Sequence, residues 1–316
     1  MRAITYIRYG APDVLKLAEI EKPVPCDNEV LVKIKASTVT PMDWKFRSGN
    51  TLIARLMTGI IKPKINILGV EFSGEIEETG KDISKFKIGD MIFGRAKKAG
   101  AYAEYLCVPE KEICLNPSNA SFGEAAGITF GATTALFGLT NTGNIQQGQK
   151  VLINGASGGV GLFAVQLAKF HGAKVTAVCS STNHKMVIDS GADIVIDYMT
   201  TDFTKNGEIY DIVFDCVGKR TYSDCKKSLV KHGVYISTVL SFPLLIQMFS
   251  SSIFGRKKGK FIFSDFKPDD LLMLKDLYEK KIIKTVIDKT YSLKNIRDAH
   301  HYAEKGHVKG KVIVEI

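Results

Sequence analysis

The chain has 316 residues, of which 45% are hydrophobic and 24% charged, with a formal net charge of +10. That length suggests two domains, and that balance excludes disordered and fibrous classes. The six cysteines form no paired framework, and no apolar run reaches the ~18 residues of a membrane span, since Val239–Phe254 is interrupted by Pro243 and several serines.

Met1–Tyr6 reads as the start of a strand rather than a signal peptide, so a cytoplasmic protein with reduced thiols is expected. Short strands are predicted at Ala3–Tyr6, Glu29–Ala36, Glu71–Glu78, Met91–Phe93 and Tyr102–Val108, punctuated by Pro23, Pro25, Gly49, Gly80, Gly89 and Gly100. This first part, residues 1–119, reads as an antiparallel barrel or sandwich. A helix is predicted over Phe122–Leu139. Strands then recur at Val151–Ile153, Lys174–Cys179, Ile194–Ile196, Asp211–Cys216, Val234–Thr238 and Phe261–Phe263. Helical segments lie between most of them and end near Gly172, Gly191 and Gly233. Such alternation predicts a doubly wound parallel sheet over residues 120–283, an α/β fold. Pro268-Asp269-Asp270 opens a further helix with Pro and acids in its first turn. Residues 284–316 run from Thr290-Tyr-Ser-Leu through a helix to Lys305 and end on the strand Gly310–Ile316.

The most informative stretch is Lys150-Val-Leu-Ile-Asn-Gly155-Ala-Ser-Gly158-Gly-Val-Gly161 and the amphipathic helix after it, with Val160, Phe163, Ala164, Leu167 and Ala168 on one face. A glycine turn between a strand end and a helix start favours a pyrophosphate, because the free N–H groups and the positive dipole end both point at it. Gly158 would allow close approach of the phosphates, and Gly161 close helix–strand packing. Two other readings compete. Gly155-x-Ser157-x-Gly159 also fits the nucleophile elbow of a hydrolase, with His232 or His300 as the nominated base. A tight turn without a ligand is the third. The β-rich first part argues against the hydrolase, and the wound-sheet pattern argues for the nucleotide.

The lysines are spread along the chain, which favours a solvated basic surface over a nucleic-acid face. The one tight cluster, Arg256-Lys257-Lys258-Gly259-Lys260, is short. Tyr222-Ser-Asp-Cys-Lys226 imitates the Tyr-x-x-x-Lys pair of short-chain dehydrogenases, but the glycine loop lies mid-chain here. Tyr222, Cys225 and Leu229 are instead expected to form an apolar face.

In the order of its elements, the chain resembles the zinc-independent quinone oxidoreductase branch of the medium-chain dehydrogenase/reductase superfamily. The marks are Thr40-Pro-Met-Asp-Trp-Lys-Phe-Arg-Ser-Gly49, Leu68-Gly-Val-Glu-Phe-Ser-Gly-Glu75, Gly100-Ala-Tyr-Ala-Glu-Tyr105, the glycine loop and Gly310-Lys-Val-Ile-Val. The resemblance implies a GroES-like β-barrel completed by residues 284–316, a Rossmann domain, a substrate cleft, and NADPH-driven reduction of a quinone or an α,β-unsaturated carbonyl. A homodimer is compatible with it. Where the family usually carries Asn in Asn-Pro-x-Asp, this chain has Thr40.

Thr40, Trp44 and Lys45 are the candidate substrate-side residues; the resemblance puts Asp43 and Trp44 in the motif that lines the cleft, with a turn Asp and a core Trp as the alternative, and Tyr102 and Tyr105 are weighed as strand-packing residues. The expected cofactor set is Thr133, Gly155, Ala156, Ser157, Gly158, Gly159, Val160, Gly161, Ser180, Ser181, Lys185, Tyr198 and Val217. The second strand of the wound sheet ends at Cys179 and continues Ser180-Ser181-Thr182-Asn183-His184-Lys185 without an acid. An acid there would bind ribose hydroxyls and repel a 2′-phosphate, so NADPH is expected over NADH. No metal is expected. The positions matching the zinc ligands of zinc-dependent relatives are Thr40, Val70 and Thr129, and Glu71 alone cannot make a site that takes three protein ligands. A non-catalytic NADPH-binding sensor or scaffold is the alternative from a different class.

Overall fold

The structure is a computed structural model. It describes every residue except 242, 249–256 and 263–266, and nothing is stated of the Ile53 side chain.

In chain order the strands begin β1 (Arg2–Thr5), β2 (Lys16–Glu19) and β3 (Glu29–Thr38). Two helices follow, α1 (Pro41–Ser48) and α2 (Leu52–Thr58), where short strands and turns were expected. They form because Thr40-Pro-Met-Asp43 is a helix start. Pro41 fits the first turn, Thr40 accepts from the Asp43 N–H, and the Asp43 carboxylate reaches back to the Thr40 N–H. Next come β4 (Glu71–Thr79), β5 (Met91–Arg95), β6 (Tyr105–Pro109), β7 (Ile113–Leu115) and α3 (Phe122–Phe137). The helix α3 gives way to a π turn at Gly138–Thr142.

The wound part contains β8 (Lys150–Asn154), α4 (Gly161–Phe170), β9 (Lys174–Cys179), α5 (His184–Ile188), β10 (Ile194–Asp197), β11 (Tyr210–Asp215), α6 (Tyr222–Cys225), β12 (Leu229–Ser237), helical residues 243–248 (α7) and β13 (Lys258–Phe261). The chain closes with α8 (Pro268–Glu279), β14 (Ile287–Ser292), α9 (Ile296–Glu304) and β15 (Lys311–Glu315). Gly172 and Gly191 follow helices with positive φ, as expected of C-terminal glycines. Gly233 does not: it lies inside β12, beside the register shift at Tyr210/Ile212. The last parallel strand lies three residues earlier than expected, and Phe263 falls outside the described residues.

The chain forms two units, Met1–Phe130 with Lys267–Ile316, and Gly131–Phe266. Sequence reading drew the divisions at 119/120 and 283/284. The structure moves them because Asn119 Nδ2 bonds the Tyr278 carbonyl at 3.3 Å, Ser118 N bonds Glu279 at 2.9 Å, and Thr285 Oγ1 bonds the Glu124 carbonyl at 2.8 Å. These bonds tie α8 and the start of α3 to the β-rich unit.

In the first unit, a seven-stranded sheet has the path β14-β15-β3-β4-β5-β7, with β6 added on β3; β1 and β2 pair separately. The C-terminal strand β15 lies antiparallel to β3, with Ile313 opposite Thr38. One core gathers Ile4, Tyr6, Leu68, Ile296, Ala299 and Val314, and a second gathers Val30, Val32, Phe72 and Ile92. In the second unit, six parallel strands run in the order β10-β9-β8-β11-β12-β13. Their near-continuous apolar sequences, such as Val175–Cys179, suit strands covered on both faces. No helix among the described residues is long and apolar enough to cross a membrane.

Candidate active site

Counted from β8, the parallel order is 3-2-1-4-5-6, the dinucleotide-binding arrangement, and its switch point lies beside β8 and β11. The glycine loop leaves β8 at that point. Gly155 has φ +78°, which its lack of a side chain permits. The loop is pinned to β9 by Gly155 N and Ala156 N, which both bond the Val178 carbonyl at 3.1 and 3.0 Å. No side chain caps α4, whose Leu162 N bonds the Gly158 carbonyl at 3.0 Å; a helix start next to a glycine loop favours an anion.

An added Cβ distinguishes the glycines. At Gly161 it would lie 2.1 Å from the Gly155 carbonyl oxygen, and at Gly131 it would lie 2.5 Å from the Gly159 carbonyl. At Gly158 it would meet only the Gly155 carbonyl, at 3.5 Å, so this glycine keeps space open beside the loop. That is a cradle a phosphate fits and a side chain would fill. Val217 touches the same loop, its Cγ2 within 2.5 Å of a Cβ built on Gly155. Thr133 is buried on α3, two positions from Gly131. Sequence reading missed the residue that holds these ends together. Asp215 is fully buried and accepts from Asn154 Nδ2 (2.9 Å), Val217 N (3.0 Å), Gly218 N (3.1 Å) and the Tyr235 hydroxyl (2.9 Å). Its signal was an acid closing an apolar strand, followed by Cys-Val-Gly.

The end of β9 brings Ser180 and Tyr198 to one edge, since Tyr198 N bonds the Cys179 carbonyl at 3.3 Å. The Ser180 hydroxyl lies 3.0 Å from Thr182 Oγ1, and Ser181 is exposed. Lys185 is on the solvent face of α5 and pairs with Asp189 at 2.7 Å. It is an exposed cation whose i,i+4 pair with Asp189 is of the weak surface kind. Of the basic cluster, Lys257 and Lys260 donate to the carbonyls of Lys226 and Thr142; Arg256 lies outside the described residues.

On the first unit, Thr40 is buried and its hydroxyl donates to Asp43 Oδ2 at 2.6 Å. Its one proton is committed to the helix cap, so Thr40 positions α1 rather than presenting a donor. Asp43 is fully buried and also accepts from Gly69 N at 2.9 Å. Burial pushes its carboxyl up to about 6 against these bonds. Trp44 is half-buried. The Lys45 ammonium lies 5.5 Å from its ring centroid, and burial draws the lysine pKa down. No carboxylate pairs with Lys45 among the described residues. The Tyr102 hydroxyl donates to the Thr38 carbonyl at 3.1 Å, and Tyr105 packs under Lys22.

The positions that would ligate zinc carry Thr40, Val70 and Thr129, all buried. Glu71 is fully buried and already held: it accepts from Lys311 Nζ at 2.5 Å, from Phe130 N at 2.6 Å and from the Thr38 hydroxyl. A protein cation thus neutralises the carboxylate. No cluster of three or more His, Cys, Asp or Glu that could hold a metal exists among the described residues, so the donor set does not fit the group.

The hydrolase reading fails on topology. Ser157 follows the C-terminal end of β8, whereas His232 lies near the start of β12, five residues before Ser237 at the matching sheet level, or ~16 Å by strand rise. His300 is sealed in the core of the other unit. The short-chain imitation fails too: the Tyr222 hydroxyl donates to the Lys257 carbonyl, and Tyr222, Cys225 and Leu229 pack together.

Comparison with known proteins agrees with this geometry. Residues 26–118 match the alcohol dehydrogenase GroES-like domain family, and residues 190–314 match the family described as zinc-binding dehydrogenase. A chloroplastic quinone-oxidoreductase of Triphysaria versicolor is 32% identical over all of this chain and 98% of its own length. The solved structure of the quinone oxidoreductase from Coxiella burnetii superposes with a TM-score of 0.91 at 30% identity, covering 100% of this chain and 99% of that one. The chain belongs to the quinone oxidoreductase-like branch of the medium-chain dehydrogenases/reductases. A chloroplastic NADPH-dependent alkenal/one oxidoreductase of Arabidopsis thaliana is 30% identical over 99% of this chain and 79% of its own.

Proposed function

We propose that the chain is an NADPH-dependent reductase of quinones or α,β-unsaturated carbonyls that works without zinc. The observation that carries this reading is the Glu71–Lys311 pair standing where a metal site would need open donors. Taking hydride from an alcohol requires a device to hold the alkoxide, which zinc supplies in metal-dependent relatives. A conjugated acceptor is less demanding, because hydride addition moves charge to a carbonyl oxygen that hydrogen bonds can stabilise. The names of the Triphysaria and Arabidopsis relatives support the same acceptor class.

The Gly131–Phe266 unit would hold the dinucleotide, with the pyrophosphate on Gly158–Gly161 and α4, Val217 and Thr133 along its length, and Ser180, Ser181 and Tyr198 at the 2′-phosphate. When bound, a reduced nicotinamide supplies the hydride. Our candidate donor to the developing oxyanion is Lys45, a half-buried cation with no carboxylate partner among the described residues and with the Trp44 ring beside it. Solvent delivers the proton, to the α carbon of the enolate from an enone or to the phenolate oxygen from a quinone.

The test is NADPH consumption across quinones, enones, enals and simple alcohol/NADP+ pairs. The expected result is turnover of conjugated acceptors, lowered about a hundredfold in kcat/KM by Lys45→Met, the scale of a lost oxyanion donor. Faster alcohol oxidation, or tight NADPH binding with no turnover on any acceptor, would overturn the assignment; the latter outcome is the sensor reading. Lys185 is a further candidate at the 2′-phosphate, and Lys185→Ala is expected to lower the NADPH/NADH preference in kcat/KM; an unchanged preference would remove it from the site.

A further inference from the structure

From Trp44 to Val70 the chain contains no Asp or Glu, while it carries Lys45, Arg47, Arg55, Lys62 and Lys64. Within this acid-free stretch, α2 and the turn after it hold large apolar side chains in water. Leu52, Leu56 and Met57 are exposed, as are Ile60 and Ile61, the last at 90%. By helical geometry Leu52, Leu56 and Met57 share one side of α2, opposite the buried Ala54 and Thr58.

The fold holds this face outward. Thr51 caps α2 by accepting from Ala54 N, the Thr58 hydroxyl bonds the Ala54 carbonyl at 2.8 Å, and the Tyr9 hydroxyl bonds Thr58 and the Gly59 carbonyl. Lys64 N closes the following turn onto the Thr58 carbonyl. Arg55 is clamped by the Gly49 and Ile60 carbonyls beside the apolar face. Lys62 and Lys64 are exposed, with no carboxylate partner among the described residues. Contiguous apolar surface of this kind marks an interaction site. Apolar side chains in a segment whose only charged residues are cations are complementary to one surface in particular, an anionic headgroup layer over hydrocarbon.

We propose that the α2 face docks on anionic lipid bilayers, with Leu56, Met57, Ile60 and Ile61 entering the interface and Lys62 and Lys64 at the headgroups. It is a peripheral attachment, independent of the catalytic reading.

The test is flotation of the full chain with vesicles of phosphatidylcholine alone and of phosphatidylcholine mixed with phosphatidylglycerol. Wild-type protein is expected to float with the anionic vesicles and to be released by salt. Lys62→Gln/Lys64→Gln should weaken that binding roughly thirtyfold, from the worth of two cations at a charged surface. Ile60→Ser/Ile61→Ser should abolish it while the thermal melt stays that of wild type, since both side chains are already in water. Failure of the wild type to float, or equal flotation of both variants, overturns the proposal. So does a wild-type dimer in sedimentation velocity that Ile60→Ser/Ile61→Ser converts to monomer without any vesicle binding, which would assign the face to a second copy.

Discussion

His300 and Asp43 are both sealed in the core of the β-rich unit, and their protonation pulls stability in opposite directions. Burial first, then the nearby Arg47 charge, pushes His300 down to about 3, edge-on to Tyr102. In the unfolded chain it titrates near 6.5, so its contribution is intact above that pH and is lost as pH falls toward 3. Asp43, raised to about 6, contributes stability that is full below its unfolded value of 3.8 and is lost as pH rises through 6. The two effects largely cancel across the mildly acidic range. Denaturant unfolding at pH 7 and pH 5 separates them. Relative to wild type, between pH 7 and pH 5 His300→Phe should gain about 2 kcal/mol of stability and Asp43→Asn should lose about 1 kcal/mol. Parallel pH profiles for wild type and both variants would refute the opposition. Neither residue's state was legible in the sequence, because the burial that sets it arises only on folding. The cap was passed over among strand-like neighbours, although Thr40-Pro-Met-Asp43 spells a helix start within four residues.

At the scale of elements, the β8–loop–α4 unit was readable because its signals are local: an apolar run, a glycine turn and a helical period. Its two key glycines do different work, and substitution should separate them. Gly161→Ala drives a Cβ into the Gly155 carbonyl, so a loss of more than about 2 kcal/mol of stability is expected, as for other overpacked sites. Gly158→Ala meets nothing closer than 3.5 Å. It should leave the melting temperature near wild type while weakening NADPH binding at least tenfold, roughly the effect of obstructing a phosphate-backbone approach. Equal stability losses with unchanged NADPH affinity at Gly158 would remove the cradle from the account. By contrast, α1 and α2 were hidden within a segment of strand-like neighbours, and Asp215 was hidden because its four donors come from β8, the β11 turn and β12. The Tyr222–Lys226 pair shows the converse: a local motif matched, and packing gave its hydroxyl to the Lys257 carbonyl instead.

For the whole molecule, alternation of strand and helix announced a parallel sheet, but its 3-2-1-4-5-6 order emerges only from pairing. The unit boundaries were less legible, because Ser118, Asn119 and Thr285 make bonds across long sequence separations that no local pattern encodes. The same holds for the Glu71–Lys311 pair, whose members are separated by 240 positions. That pair supports the central claim, zinc-free hydride transfer to a conjugated acceptor. The most direct measurement uses chelator-treated protein, NADPH deuterated at the transferable position, and an enone, with the product analysed by mass spectrometry and NMR. The account predicts one deuterium on the carbon β to the carbonyl, at a rate unchanged by added zinc. NADPH left unoxidised by every conjugated acceptor, or label transfer that appears only when zinc is restored, would contradict it.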